Sequence, residues 1–172
     1  MTRISILTAE QTPDASRPLL EGVKKAFGGV PNVFKVLAHS PAVLGTYLQF
    51  HQANQGSSLT DLQREVVALA VSQANACEYC LAVHTAIGGK AGLSADQLLG
   101  ARDGSLDAYA HFARAVAEHR GNVSDQVIAS ARSAGLSDEV LLGIIAQVTL
   151  LTFTNLLNNV AQTTIDFPPV AL

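Results

Sequence analysis

The sequence predicts an all-α helical bundle, and three observations carry that prediction. Helix-start signals recur along the whole chain. Glycines stand where helices should end. No stretch keeps the period-two alternation, bounded by turn residues, that a strand requires. The 172 residues suit a single domain, 1–172, with a core of its own.

A first helix is expected over roughly 14–27 and a short second over roughly 32–38, with Pro31-Asn32 as an extended connector. Ser40-Pro41 reads as an N-cap followed by proline at the first helical position. It opens a third helix of roughly 41–54. Thr60-Asp61-Leu62-Gln63 fits a capping box and starts a fourth helix of roughly 60–74. Asn75-Ala76-Cys77-Glu78 reads as the start of a fifth, roughly 76–91, with Asn75 as its cap. Gly92 and Gly135 stand where helix C-terminal glycines belong. Ser94-Ala95-Asp96-Gln97 is a second capping box, opening a helix of roughly 95–101, and another follows over roughly 105–120. Ser124-Asp125 and Ser137-Asp138-Glu139 supply caps with acidic first turns for helices of roughly 124–133 and 138–162. The tail Phe167-Pro168-Pro169 is extended. Ala91-Gly92-Leu93-Ser94 is echoed by Ala134-Gly135-Leu136-Ser137, which fits either a helical hairpin used twice or merely a joint used twice.

Hydrophobic residues make up 48% of the chain and charged residues 15%, which argues against disorder and leaves apolar surface to bury against other subunits. A net charge of -3, with no basic run and no basic–aromatic stripe, argues against nucleic acid as a partner. Met1 to Glu10 lacks the charged start and apolar run of a signal peptide. Val140 to Leu151, the most apolar region, is interrupted by Gln147 and Thr149 and reads as a buried helix, not a membrane span. The only two cysteines, Cys77 and Cys80, are too close to staple long loops. They read as redox or metal chemistry in a reducing, cytoplasmic compartment.

Cys77, Cys80 and His84 stand at i, i+3 and i+7, so their side chains share one helical face. A dithiol at this distance can close into a disulfide, and a histidine one turn on can hold or deliver a proton. If the fourth and fifth helices form an antiparallel hairpin turning near residue 75, Glu65 and His84 lie equally far from the turn and side by side. The helix of Glu65 is strongly apolar, with Leu62, Val66, Val67, Leu69, Ala70 and Val71. A carboxylate there is costly unless paired or protonated, which suits it to proton transfer. Zinc stays open, since Cys77, Cys80 and His84 could supply three ligands. His39, His51, His111 and His119 read as surface or structural histidines, and of these only His51 could border a pocket.

Glu65 followed by Cys77-Glu78-Tyr79-Cys80-Leu81-Ala82-Val83-His84 resembles the Glu…Cys-x-x-Cys-x-x-x-His signature of AhpD-like alkylhydroperoxidases, of the carboxymuconolactone decarboxylase superfamily. Thr60 to Glu65 and Ser72-Gln73-Ala74-Asn75 resemble that family's approach to the motif. Asn32-Val33-Phe34 and the stretch from Asn155 to Phe167 resemble its peroxidase-related subgroup, so the resemblance spans most of the chain. It implies an AhpD-like bundle whose central hairpin carries the motif, homo-oligomers (trimers or hexamers), and peroxiredoxin-type, thiol-dependent reduction of hydroperoxides in an antioxidant role. By match, Cys80 is the peroxidatic thiolate, Cys77 the resolving thiol, and Glu65 with His84 the relay that deprotonates Cys80. The implied cycle passes through a sulfenic acid on Cys80 and a Cys77–Cys80 disulfide. An external dithiol or lipoyl group restores it, with no bound cofactor and no metal.

Founding members of the family often carry histidine before the second cysteine, where this chain has Tyr79. Helix-dipole reasoning favours Cys77 as the more acidic thiol, whereas His84 is the i+4 neighbour of Cys80. A positioned base acts more specifically than a partial charge, so Cys80 is the expected thiolate. Two alternatives use the same pair: a general disulfide oxidoreductase or redox sensor, and a non-catalytic oligomeric helical protein with a vestigial or metal-binding dithiol. The true decarboxylases of the superfamily act on a lactone and do not depend on a Cys-x-x-C pair, so the intact pair argues against that activity.

Overall fold

In the computed structural model residues 2–172 are described, and among them nine α-helices follow one another with no strand. They are α1 (Arg17–Phe27), α2 (Asn32–Leu37), α3 (Pro41–Asn54), α4 (Asp61–Ala74), α5 (Glu78–Lys90), α6 (Ala95–Asp103), α7 (Ala108–Glu118), α8 (Asp125–Ser133) and α9 (Asp138–Ala161). The predicted order holds throughout. The first expected helix divides into a 3-10 turn, Asp14–Ser16, and α1. Asn32 joins α2 instead of the connector, and α7 begins later than expected because the Asp107 side chain accepts from the Ala110 N–H and caps it there.

The local signals account for the element boundaries. Ser40, Thr60, Ser94, Ser124 and Ser137 each accept a hydrogen bond from the N–H three residues on. Both expected capping boxes close reciprocally, Thr60 with Gln63 and Ser94 with Gln97. Gly92 and Gly135 take φ of 107° and 89°, a region costly for residues with a Cβ. Beyond them the N–H groups of Leu93 and Leu136 donate back to Gly88 and Ala131, and both leucines are buried. The echo in the sequence is therefore a recurring joint. The helices it joins differ, with 13 and 9 residues at α5 and α6 but 9 and 24 at α8 and α9.

α4 is the axis of the bundle. Val66 through Ser72 are all buried, because α4 is wrapped by α5, α6, α7 and α9. One core forms between α4, α7, α8 and α9, around Phe112 and Ile144. A second gathers Leu81 of α5 with Leu69 and Ala110. The third brings α1, α2 and α3 onto the start of α5, and Cys77 and Cys80 lie inside it. The motif is thus held in packed apolar surroundings, not displayed on a loop.

α9 is long and apolar enough to cross a membrane, with a mean hydropathy of 2.0, but half of that stretch is buried inside the chain. Its inner face carries Gln147, Thr154, Asn155 and Asn158. Its outer face leaves Leu142, Ile145, Phe153, Leu156 and Val160 exposed at helical spacing.

Candidate active site

α4 and α5 form the antiparallel hairpin expected from the sequence. Its turn is tight. Asn75 ends α4, with its N–H on the Val71 carbonyl, and does not cap α5. Ala76 then takes a φ of 48°, which reverses the chain. Cys77 itself is the N-cap of α5: its Sγ accepts from the Cys80 N–H at 3.3 Å. The expected assignment of Asn75 as cap and Cys77 as first-turn residue fails because the left-handed Ala76 moves the helix start forward. The two sulfurs still meet over one turn, and both thiols are free.

The hairpin sets Glu65 beside His84, as the register predicts. The carboxylate accepts from Nδ1 at 2.9 Å, and both side chains are more than four-fifths shielded from solvent. Burial pushes the imidazole down, yet the charge and hydrogen bond of Glu65, with the charge of Cys80, outweigh it and hold His84 above the ordinary histidine range. Among the described residues no hydrogen bond joins His84 to Cys80. The two share the wall of a cavity of about 120 Å³, and the imidazolium acts on the sulfur by its charge.

The two thiols are driven apart. A hydrogen bond from Cys77 lowers Cys80 most; burial opposes it, and the charge of His84 and the amides of Asn158 and Asn155 add to the lowering. Cys77 is raised by its bond to Cys80 and by burial, so it keeps its proton. Cys80 is the acidic thiol, as the partner argument expected, but its first partner is Cys77 and not His84.

Spacing alone did not find the amides. Asn158 Nδ2 donates to Cys80 Sγ at 3.3 Å. Asn155 accepts from Asn75 Nδ2 at 2.9 Å and donates to Ser72 Oγ, while Asn159 Nδ2 donates to the Asn75 carbonyl. All three stand on α9 and brace the turn that presents the cysteines. Their signal was amides recurring on the most apolar helix, since buried amides require partners.

Tyr79, between the cysteines, is fully engaged elsewhere. It is buried, its hydroxyl donates to Asp166 Oδ1 at 2.8 Å, and it accepts from the Val33 N–H at 3.2 Å. Asp166 Oδ2 accepts from the Asn32 N–H, and Asn32 Nδ2 donates to the Thr164 carbonyl. Phe167 stands edge-on to the Tyr79 ring. Tyr79 thus ties the extended tail to α2, and burial pushes its phenol far up, so it is no proton carrier.

The cavity holds Glu65, Cys80 and His84, with Phe27, Phe34, Tyr47 and Phe167 around them. His51 lines it too; burial first, then the nearby Arg64 and His84 charges, lowers its pKa. His39 is tied to Ser5 and takes no part. Among the described residues no three His, Cys, Asp or Glu side chains converge as a metal-binding group.

The carboxymuconolactone decarboxylase family model matches residues 41–118, which contain the whole hairpin. No curated protein matches the chain. Among solved structures, the alkylhydroperoxidase AhpD core, a peroxidase-related protein from Ralstonia eutropha JMP134, superposes with a TM-score of 0.83 at 25% identity, over 96% of this chain and 92% of that one. A peroxidase-related protein from Silicibacter sp. TM1040 gives 0.79 at 22% identity, over 99% and 92%. A cysteine-to-alanine variant of the debrominase Bmp8, in complex with 2,3,4-tribromopyrrole, gives 0.79 at 16% identity over 96% and 92%, a likeness of fold. Residues 41–118, with the whole hairpin, thus match the carboxymuconolactone decarboxylase family model, and the chain as a whole shares the all-helical architecture of the alkylhydroperoxidase AhpD core.

Proposed function

We propose that the chain is a thiol-dependent peroxidase, reducing hydroperoxides through Cys80 and Cys77. One arrangement carries the reading: Cys80, its pKa lowered by its bond to Cys77, stands at the wall of a cavity that also holds the Glu65–His84 pair. A thiolate is the nucleophile that attacks peroxide oxygen. The S–O bond forms as O–O breaks, and the electron pair leaves on the proximal oxygen. That alkoxide takes a proton from His84, whose charge Glu65 sustains. Cys77 then attacks the sulfenic sulfur, the S–S bond forms, and the departing hydroxide combines with the Cys77 proton as water. An external dithiol or lipoyl group reduces the disulfide, in a cytoplasmic setting that supplies such reductants.

Stopped-flow oxidation of the reduced protein tests this. Fast peroxide consumption should be lost in Cys80→Ser, and sulfenic acid should be trapped in Cys77→Ser. Labelling only in the variant that keeps Cys77 would reverse the roles. No peroxide reaction but rapid exchange with a protein disulfide would favour the disulfide oxidoreductase or redox sensor.

A second reading takes the same thiolate to the bromine of a brominated ring: S–Br forms as C–Br breaks, the ring carbon takes a proton from His84, and Cys77 displaces bromide as the disulfide closes. The aromatic lining by Phe27, Phe34, Tyr47 and Phe167 supports it, because such walls stack on a flat guest. Bromide release from a bromopyrrole, dependent on Cys80, is its measurement.

The exposed stripe of α9 supports a homo-oligomer, a trimer or hexamer by family resemblance, in which a second copy covers Leu142, Leu156 and Val160.

A further inference from the structure

Asn158 stands where α9 meets the reactive sulfur. Its Nδ2 donates to Cys80 Sγ at 3.3 Å, and the residue is only 4% exposed. Its Oδ1 is buried and has no hydrogen-bond partner among the described residues. Buried carbonyl oxygens are rarely left so, and one beside a reactive sulfur calls for a partner. The amide cannot turn over to relieve it. Oδ1 turned toward a thiolate would set lone pair against lone pair, so the deprotonated sulfur fixes the orientation.

We propose that Asn158 is a catalytic residue of the peroxide step, its Nδ2–H holding the Cys80 thiolate and its Oδ1 receiving the O–H of the incoming hydroperoxide. The inference rests on the peroxidase reading of Cys80. During attack the distal oxygen bonds to sulfur and keeps its hydrogen, which needs an acceptor both before and after O–O cleavage. Asn158 lines the same cavity as Cys80, His84 and Glu65. One amide then grips both ends of the forming S–O bond, while His84 serves the leaving oxygen. Groups fixed in advance at both ends of a forming bond lower its barrier without reorganising. The same contact selects substrates: a dialkyl peroxide has no hydrogen to offer Oδ1, and a hydroperoxide has one.

The test compares two reactions of Cys80 across pH, alkylation by iodoacetamide and sulfenic acid formation with cumene hydroperoxide. Alkylation needs only the thiolate. In Asn158→Ala the alkylation midpoint should move to higher pH. Well above that midpoint alkylation should return to the unsubstituted rate, while the peroxide reaction stays about 10-fold or more slower. Asn158→Asp, of the same shape, keeps an acceptor and loses the donor. Its midpoint should rise while its plateau ratio of peroxide to alkylation rate stays near that of the unsubstituted protein. If both variants change the two reactions in parallel, the acceptor role is overturned. If neither moves the midpoint, the donor role is overturned. If the unsubstituted protein alkylates but consumes no hydroperoxide, the peroxidase reading fails instead, and the midpoint shift still decides the donor role.

Discussion

Glu65 and His84 are 19 positions apart in sequence and 2.9 Å apart in space, joined across the α4–α5 turn. With Nδ1 committed to the carboxylate, Nε2 is the nitrogen left to exchange protons with a substrate.

The pair sets a pH window. The proposed cycle requires Cys80 deprotonated, which its lowered pKa supplies from the acid side, and His84 protonated, which its raised pKa preserves toward the alkaline side. In Glu65→Gln the support for imidazolium is gone and burial pushes His84 down. The alkaline limb should move to lower pH, the acid limb to higher pH as Cys80 loses its cation, and the peak rate should fall about 10²–10⁴-fold. Peroxide-driven oxidation rates measured from acid to alkaline pH check it. An unchanged alkaline limb would sink the role given to Glu65.

Tyr79→Phe separates anchoring from proton transfer. The change removes the bond to Asp166 and leaves the Val33 N–H without its acceptor, a loss of about 1–3 kcal/mol in urea unfolding. The pH profile of Cys80 alkylation should stay where it was. A shifted profile would show that the phenol takes part in the relay.

Ala76→Gly should stabilise the protein. Ala76 holds a φ of 48°, exposed to solvent, where a Cβ is penalised by about 1 kcal/mol and glycine is not. The expected rise is about 2–4 °C in Tm, read by calorimetry. A fall would mean that the added freedom of the unfolded glycine outweighs the relief.

Leu156→Glu should split the proposed homo-oligomer. Leu156 is 59% exposed in the single chain, and a carboxylate placed in a covered apolar contact is strongly disfavoured. Light scattering should show the unsubstituted protein as an oligomer at micromolar concentration and the variant as a smaller species. A monomer before substitution counts against the interface.

Local features were legible in the sequence because their causes are local. Ser40, Thr60, Ser94, Ser124 and Ser137 cap helices by reaching three residues ahead. The Glu65–His84 meeting needed one further step, the symmetry of an antiparallel hairpin about its turn. Asn158 and Asp166 were not legible as site residues. They lie 78 and 87 positions from the cysteine and tyrosine they contact, and only the return of α9 and the tail brings them there. The start of α5 was misplaced for a different reason: the left-handed residue is alanine, and no glycine announced it.

Cys77 Sγ is at once the acceptor that begins α5 and the sulfur that the proposed cycle joins to Cys80. Oxidation therefore weakens the cap of its own helix. The Cys80 amide would then be a built-in gauge of turnover: its hydrogen should exchange more slowly while the thiols are reduced than once they are joined. Following that single N–H would report the fraction of oxidised chains without any added dye.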